Sequence, residues 1–314
     1  RPVVLGIAIG VTVLVVLALV ITLVLVTRDD QRSDGMPRSP GDAVQGYLQA
    51  LADADADRAR AVTTPAPSTA LLGGDVLRRQ RDLAPITDIV VSEPVSDGVV
   101  SARYRIGDRL AEVGFRTVAA GGGWLVSDGV LELRVAPTRV PHPTLFGTEI
   151  TANVPVYVYP GPREWGSRDP YVGAKDADGQ PFPVGPQPPS TVRLDPELTA
   201  AGHAAVSEAV QRHLNYCAGS REPDAAVDRP GCRQHLNRSA VPGTVRWTAP
   251  SDTTGLFRTL STASVTTVDV AGAVSWQATY TPSYAADTTR TAVNDDYLVG
   301  SVDLTAKPPL FTEG

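Results

Sequence analysis

The chain reads as an α+β protein hung from one N-terminal transmembrane helix, with two helix-plus-antiparallel-sheet modules joined by a small Pro/Gly-rich β connector. Three observations predict this. The run Val3 to Val26 is apolar throughout, interrupted only by Gly6, Gly10, Thr12 and Thr22. Beyond it, a helical spacing of apolar residues gives way to strict alternation, and the same change of period occurs again in the second half. Between the two lies a stretch so rich in Pro and Gly that little regular structure is expected of it.

The apolar run comes first because it sets the compartment. A helix through it reaches roughly 36 Å, enough to cross a hydrocarbon core of about 30 Å with some tilt. A cleaved signal peptide has a shorter apolar region and a small-x-small site, so a retained anchor is expected, with membrane lipid as the partner of residues 3–26. Arg1, not Met, opens the sequence, so the chain is expected to begin partway along a longer one, with any cytoplasmic head unseen. Arg28, Arg32 and Arg38 follow the run while only Arg1 precedes it, a count that opposes an outward-facing body. Long domains translocate largely regardless of such charges. Cys217 and Cys232 help to decide: two cysteines flanking a Gly/Pro-containing loop suit one disulfide in an oxidising compartment. The expected location is the cytoplasmic membrane, single-pass, with the bulk of the chain extracytoplasmic.

Composition bounds the partners. The 314 residues are 42% hydrophobic and 20% charged, with net charge −6. That allows two modest cores and leaves no basic stripe with interleaved aromatics, so nucleic acid is not an expected partner. Lys occurs only at Lys175 and Lys307, against abundant Arg, Ala, Gly and Pro, a bias associated with GC-rich bacterial genomes.

In chain order, residues 1–27 form the anchor and 28–38 a polar tether. The first module spans 39–136. Ser39 is a good N-cap, Pro40 suits the first helical position and Asp42 the N-terminal dipole, while Val44, Tyr47, Leu48 and Leu51 give one apolar face. Leu71, Leu72, Val76 and Leu77 lead to the expectation of a second, shorter helix that ends in the basic run Arg78, Arg79 and Arg81. Strands follow at Ile86 to Val91, Val99 to Ile106, Leu110 to Val118 and Trp124 to Val135, with turns at Gly107-Asp108 and Gly121 to Gly123. The connector, 137–194, offers one strand pair over Glu149 to Tyr159. The second module, 195–314, opens on a helix that Asp195-Pro196-Glu197 is expected to start. Its strands are expected at Thr244 to Trp247, Ser264 to Val270, Ala273 to Thr281 and Tyr297 to Leu304.

The stretch Pro40 to Leu51, PGDAVQGYLQAL, running on to Asp57-Arg58-Ala59-Arg60-Ala61, together with the order of elements from Ser39 to about Ala136, resembles the NTF2-like or cystatin-like modules of actinobacterial single-pass membrane-anchored proteins. The resemblance implies a curved sheet wrapped on a helix, in a family whose members include enzymes, binders and assembly modules. Fold does not choose among these.

Candidate sites are few. His213-x3-Cys217 followed by Cys232-x2-His235 has the donor set of a tetrahedral zinc site, weighed against a disulfide that closes a loop of about 15 residues for roughly 3 kcal/mol. The disulfide is the expected state, with both histidines near the surface and no metal bound. Asp53, Asp55 and Asp57 alternate, but residues two apart on a helix diverge. Asp176-x-Asp178-Gly179 lacks the distal acids of a calcium loop and reads as a turn. Gly121 to Gly123 lacks the Lys-Ser/Thr of a phosphate loop, and no G-x-S-x-G is present. Neither catalytic nor cofactor-binding residues are therefore assigned, and no cofactor is expected. Trp165, in a Pro/Gly-rich loop with Tyr159 and Tyr171 nearby, is the candidate partner contact. The expected function is a non-enzymatic cell-envelope protein that binds or scaffolds another envelope protein or a cell-wall component. An extracytoplasmic sensor with a missing cytoplasmic head, and an NTF2-like ligand-binding enzyme, are the alternatives.

Overall fold

A computed structural model describes residues 36–92 and 98–314. The protein is α+β with mostly antiparallel sheets and few helices. Among the described residues no helix is long and apolar enough to cross a membrane. The run Val3 to Val26 lies outside them.

The chain divides into two compact units: residues up to Ala66 with Arg81–Val130 and Val184–Pro186, and Pro67–Gln80 with Leu131–Pro183 and Gln187–Gly314. In the first, helix α1 (Pro40–Ala52) starts where Ser39 caps the N–H of Asp42 at 3.1 Å. It buries Ala43, Val44, Tyr47, Leu48, Ala50 and Leu51. The alternating acids after it have local roles: Asp53 closes α1, Asp55 caps α2 (Ala56–Ala61) and Asp57 pairs with Arg60. Strands β1 (Ile86–Val91), β2 (Val99–Ile106), β3 (Arg109–Ala120) and β4 (Gly123–Val126) form an antiparallel meander in that order. Alternation along β2 sends Val100, Ala102, Tyr104 and Ile106 inward, where Ala111 and Phe115 of β3 join them. Phe115 fills the centre, edge-on to Tyr47 at 5.7 Å and stacked on Tyr104 at 6.4 Å.

One long strand expected over Trp124 to Val135 is two. After β4 the chain turns because the Asp128 carboxylate accepts the Arg116 N–H at 2.9 Å and Gly129 lies so close to Tyr47 and Thr63 that a Cβ would fall 3.0–3.1 Å from them. The Tyr47 hydroxyl donates to the Gly129 carbonyl.

Helix α3 (Gly74–Leu83) belongs to the second unit as far as Gln80. Here β5 (Leu131–Val135) joins β8 (Val156–Val158) and, in parallel, β11 (Ser190–Val192). Strands β6 (Pro143–Leu145), β7 (Thr148–Glu149) and β9 (Trp165–Ser167) make a second small sheet, and β10 (Val172–Asp176) pairs with β12 (Leu194–Leu198). The pair expected over Glu149 to Tyr159 is not formed, since β7 and β8 lie in different sheets. Asn153, left-handed at φ 63, turns the chain between them. Gln80 is buried and donates to the carbonyls of Tyr159 and Pro162, holding the Pro160-Gly161-Pro162 turn.

The helix expected to start with Asp195 as its cap begins four residues later. Asp195, Pro196 and Glu197 lie in β12, and Thr199 caps helix α4 (Ala200–Ala218) by accepting the Gly202 N–H at 2.9 Å. Pro196 suits either setting, a first helical turn or a two-strand ribbon in which one side lacks a partner. The β10 pairing decides between them. Strands β13 (Arg246–Thr248), β14 (Phe257–Leu260), β15 (Thr267–Tyr280), β16 (Arg290–Asp303) and β17 (Leu310–Glu313) complete an antiparallel sheet. The two strands expected either side of Gly272 are one. Gly255 and Leu256 approach that position so closely that a Cβ would meet them at 2.9–3.1 Å, so the glycine admits a neighbour without ending the strand. Val206, Val210, Leu214 and Cys217 of α4 pack with Val270, Val274, Trp276 and Ala278 into one core.

Candidate functional site

Helical spacing and one strand end build a cluster of reactive side chains. His213 and Cys217 stand four apart on α4 and therefore face the same way. Cys217 and Cys232 are disulfide-bonded, and both are buried. His213 Nε2 lies 3.5 Å from Cys217 Sγ and 3.1 Å from Glu313 Oε2, the last residue of β17. The His213 and Glu313 side chains are 12% and 6% exposed, so the pair is taken out of water. The Phe311 ring stands 4.9 Å from the imidazole and walls one side.

The loop closed by the disulfide is held by further hydrogen bonds, within it and from residues beyond it. Gln234, itself buried, donates to the Cys217 carbonyl at 2.8 Å; Ser220 donates to the Asp228 carboxylate at 2.6 Å; and Trp247 Nε1 donates to the Glu222 carbonyl at 3.1 Å. The Ser220 hydroxyl keeps the Asp228 carboxyl below the usual carboxylate range. His235 is exposed and stays out of the cluster, its backbone bridging Asp224. His213, Cys217 and Cys232 place their ligand atoms within 4.8 Å of one another, and Glu313 takes the place expected of His235. With the sulfurs joined to each other, no thiolate is available to a metal.

The aromatic trio does not form one surface. Tyr159 is 1% exposed and lies in the core, which corrects its assignment as a partner contact. Trp165 is half-buried in β9 against the core that contains Leu145, and Tyr171 half-buried against the core of α4. The signal that misled was the loop composition: Pro and Gly mark irregular backbone, which here is packed, not exposed. Asp176 and Asp178 form a turn in which the Asp176 carboxylate accepts the Asp178 N–H at 2.9 Å, while Arg193 pairs with Asp178 and holds its carboxyl below the usual range.

In the first unit the inner face of the sheet is occupied by Tyr47, Tyr104 and Phe115, and Val184–Pro186 runs across the Tyr104 end. The Tyr104 hydroxyl donates to the Val184 carbonyl, and burial holds its pKa above the usual phenol range. An open hollow on the outer side is lined by Ser92, Ser101, Arg103, Glu112 and Gly114. Its charges, Arg103 and Glu112, pair at 3.5 Å with about two thirds of each side chain exposed, a solvated arrangement worth little.

No protein-family model matches the chain, and no curated protein or solved structure matches it.

Proposed function

We propose that this is a single-pass envelope protein, anchored by residues 3–26, whose extracytoplasmic units hold another envelope component by surface contact and not by catalysis. On this reading the Ser39 to Ala136 region is an NTF2-like or cystatin-like module, a reading supported by one helix laid on a four-stranded meander. The anchor rests on the length and purity of the apolar run, and the outward side on the disulfide.

One observation carries the binding role. The outer face of the β13–β17 sheet, opposite α4, presents large apolar side chains in register. Phe257, Ala271 and Val299 line up across β14, β15 and β16, with Tyr297 beside Ala273 and Val293 beside Gln277. Phe257 is 73%, Val293 68% and Tyr297 60% exposed. Scattered apolar residues on a surface need no explanation, whereas a row of them on one sheet face fits a contact surface.

The same strand has an open edge. Beyond β15, β16 pairs only with β17, over Gly300–Asp303, so among the described residues Arg290–Leu298 has no strand partner on that side. The Val299 carbonyl accepts the Gly314 N–H on this side, and backbone groups alternate, so Val293, Asp295 and Tyr297 aim theirs the same way. The Asp296 carboxylate covers the Tyr297 N–H at 2.8 Å. An added strand from a partner would find backbone groups, an apolar face and two acids, Asp295 and Asp296.

A photo-reactive amino acid placed at Tyr297 in cells tests this. We expect a cross-link to one envelope component, absent when the probe replaces exposed Asp42 on α1. Cross-linking at neither position, or equally at both, would count against a contact on this face.

A further inference from the structure

The buried cluster at the disulfide has a second use. We propose that reduction of Cys217–Cys232 converts it into a zinc site with Cys217, Cys232, His213 and Glu313 as ligands. The inference goes beyond the scaffold role and does not depend on it.

The geometry is already close to what a tetrahedral ion needs. With metal–ligand distances of about 2.0–2.3 Å, neighbouring ligand atoms of such a site stand roughly 3.3–3.8 Å apart. His213 Nε2 is 3.1 Å from Glu313 Oε2 and 3.5 Å from Cys217 Sγ, and the two sulfurs and the imidazole nitrogen lie within 4.8 Å of one another. The two sulfurs are bonded to each other and must part to act as separate ligands. Cleavage lets them part by rotation about their Cα–Cβ bonds. Burial adds a second reason. A carboxylate as enclosed as that of Glu313 needs a cationic or donor partner, and His213 supplies the one at hand; Zn²⁺ would serve the same need with more charge.

The chemistry balances. A dithiol reductant passes two electrons and two protons to the Cys217–Cys232 bond, giving two thiols and its own disulfide. Zn²⁺ then displaces both thiol protons to solvent, and the imidazole proton facing Glu313 moves to Nδ1, freeing Nε2 as a ligand. The oxidised chain offers only an imidazole and a carboxylate. Metal affinity would thus report the state of the disulfide.

The test uses the full chain in detergent micelles. It is reduced with dithiothreitol, freed of reductant under argon, and titrated with Zn²⁺ in competition with a chromogenic chelator. We expect one zinc per reduced chain and binding at least about 100-fold weaker in the oxidised chain. His213→Asn and Glu313→Gln should each weaken binding by at least about tenfold, the size seen when even a group behind a ligand is lost. Co²⁺ should give the thiolate charge-transfer band and intense visible bands of a tetrahedral site. Near-ultraviolet circular dichroism of Trp247 and Trp276 reports whether each variant keeps its fold. No zinc binding by the reduced chain, unchanged affinity in a folded His213→Asn variant, or equal affinity in the urea-unfolded reduced chain would each overturn the proposal.

Discussion

His213 Nε2 and Glu313 Oε2 meet at 3.1 Å across 100 residues of sequence, joining helix α4 to the last strand of the sheet. Both side chains are nearly enclosed, so the two ways of breaking the pair are not equivalent. His213→Ala strands a carboxylate away from water, and we expect a loss of about 3 kcal/mol. Glu313→Ala removes only the imidazole's hydrogen-bond partner, and about 1 kcal/mol should go. Urea unfolding of the two variants at pH 7 measures the difference; equal losses would mean that the pair is not buried as described.

Removing the disulfide should cost more than either. Cys217 and Cys232 are separated by 15 positions, and restricting an unfolded loop of that size contributes about 3 kcal/mol. The double substitution to Ala also empties part of the α4 core, to which both residues belong. Comparing it with the reduced wild type in thermal unfolding separates the two effects: reduction shows the loop contribution alone, and the double variant should melt lower still.

Much of this site was legible in the sequence, and one part was not. The Cys217 and Cys232 spacing pointed to a disulfide, and the four-residue step from His213 to Cys217 placed both on one helix face. Glu313 gave no signal, because its role arises from the register of β17 on β16, which no local pattern encodes. His235 was expected in its place only because it was near in sequence. The same divide holds for the fold. Periodicity revealed the α1 stripe and the alternation of Val274, Trp276, Ala278 and Tyr280, whereas the start of α4 was missed because Asp195-Pro196-Glu197 satisfies the rules for a helix N-terminus while pairing with β10. Strand ends at Gly129 and Gly272 depended on close approach by distant residues, Tyr47 and Leu256, with opposite outcomes.

Gly202, in the first turn of α4, gives a third expectation. Alanine there would gain about 1 kcal/mol of helix propensity. Its Cβ, however, would fall 2.3 Å from the Tyr171 carbonyl oxygen, and relieving that clash against backbone costs about 1–3 kcal/mol. We expect net destabilisation in urea unfolding of Gly202→Ala. A more stable variant would mean that the Tyr171 segment gives way freely.

Tyr104 carries a pH dependence. Burial raises its pKa in the folded chain, while in the unfolded chain it ionises near the ordinary phenol value of about 10. A raised folded pKa means full stability below about pH 10 and progressive loss as pH climbs from there toward the folded value. Tyr104→Phe should therefore lose about 1 kcal/mol at pH 7, where the bond to the Val184 carbonyl is missing, and close that gap above pH 10. Urea unfolding at pH 7 and pH 11 reads both; a constant gap would contradict the assignment.

The central claim is that the folded body lies outside the membrane. Asp42→Cys, away from the proposed contact face, adds one exposed thiol to a chain whose own two cysteines are disulfide-bonded. Intact cells producing this variant are treated with a membrane-impermeant maleimide and compared with lysed cells. The account predicts equal labelling in both. Labelling that appears only after lysis would place the body on the inner side and contradict it.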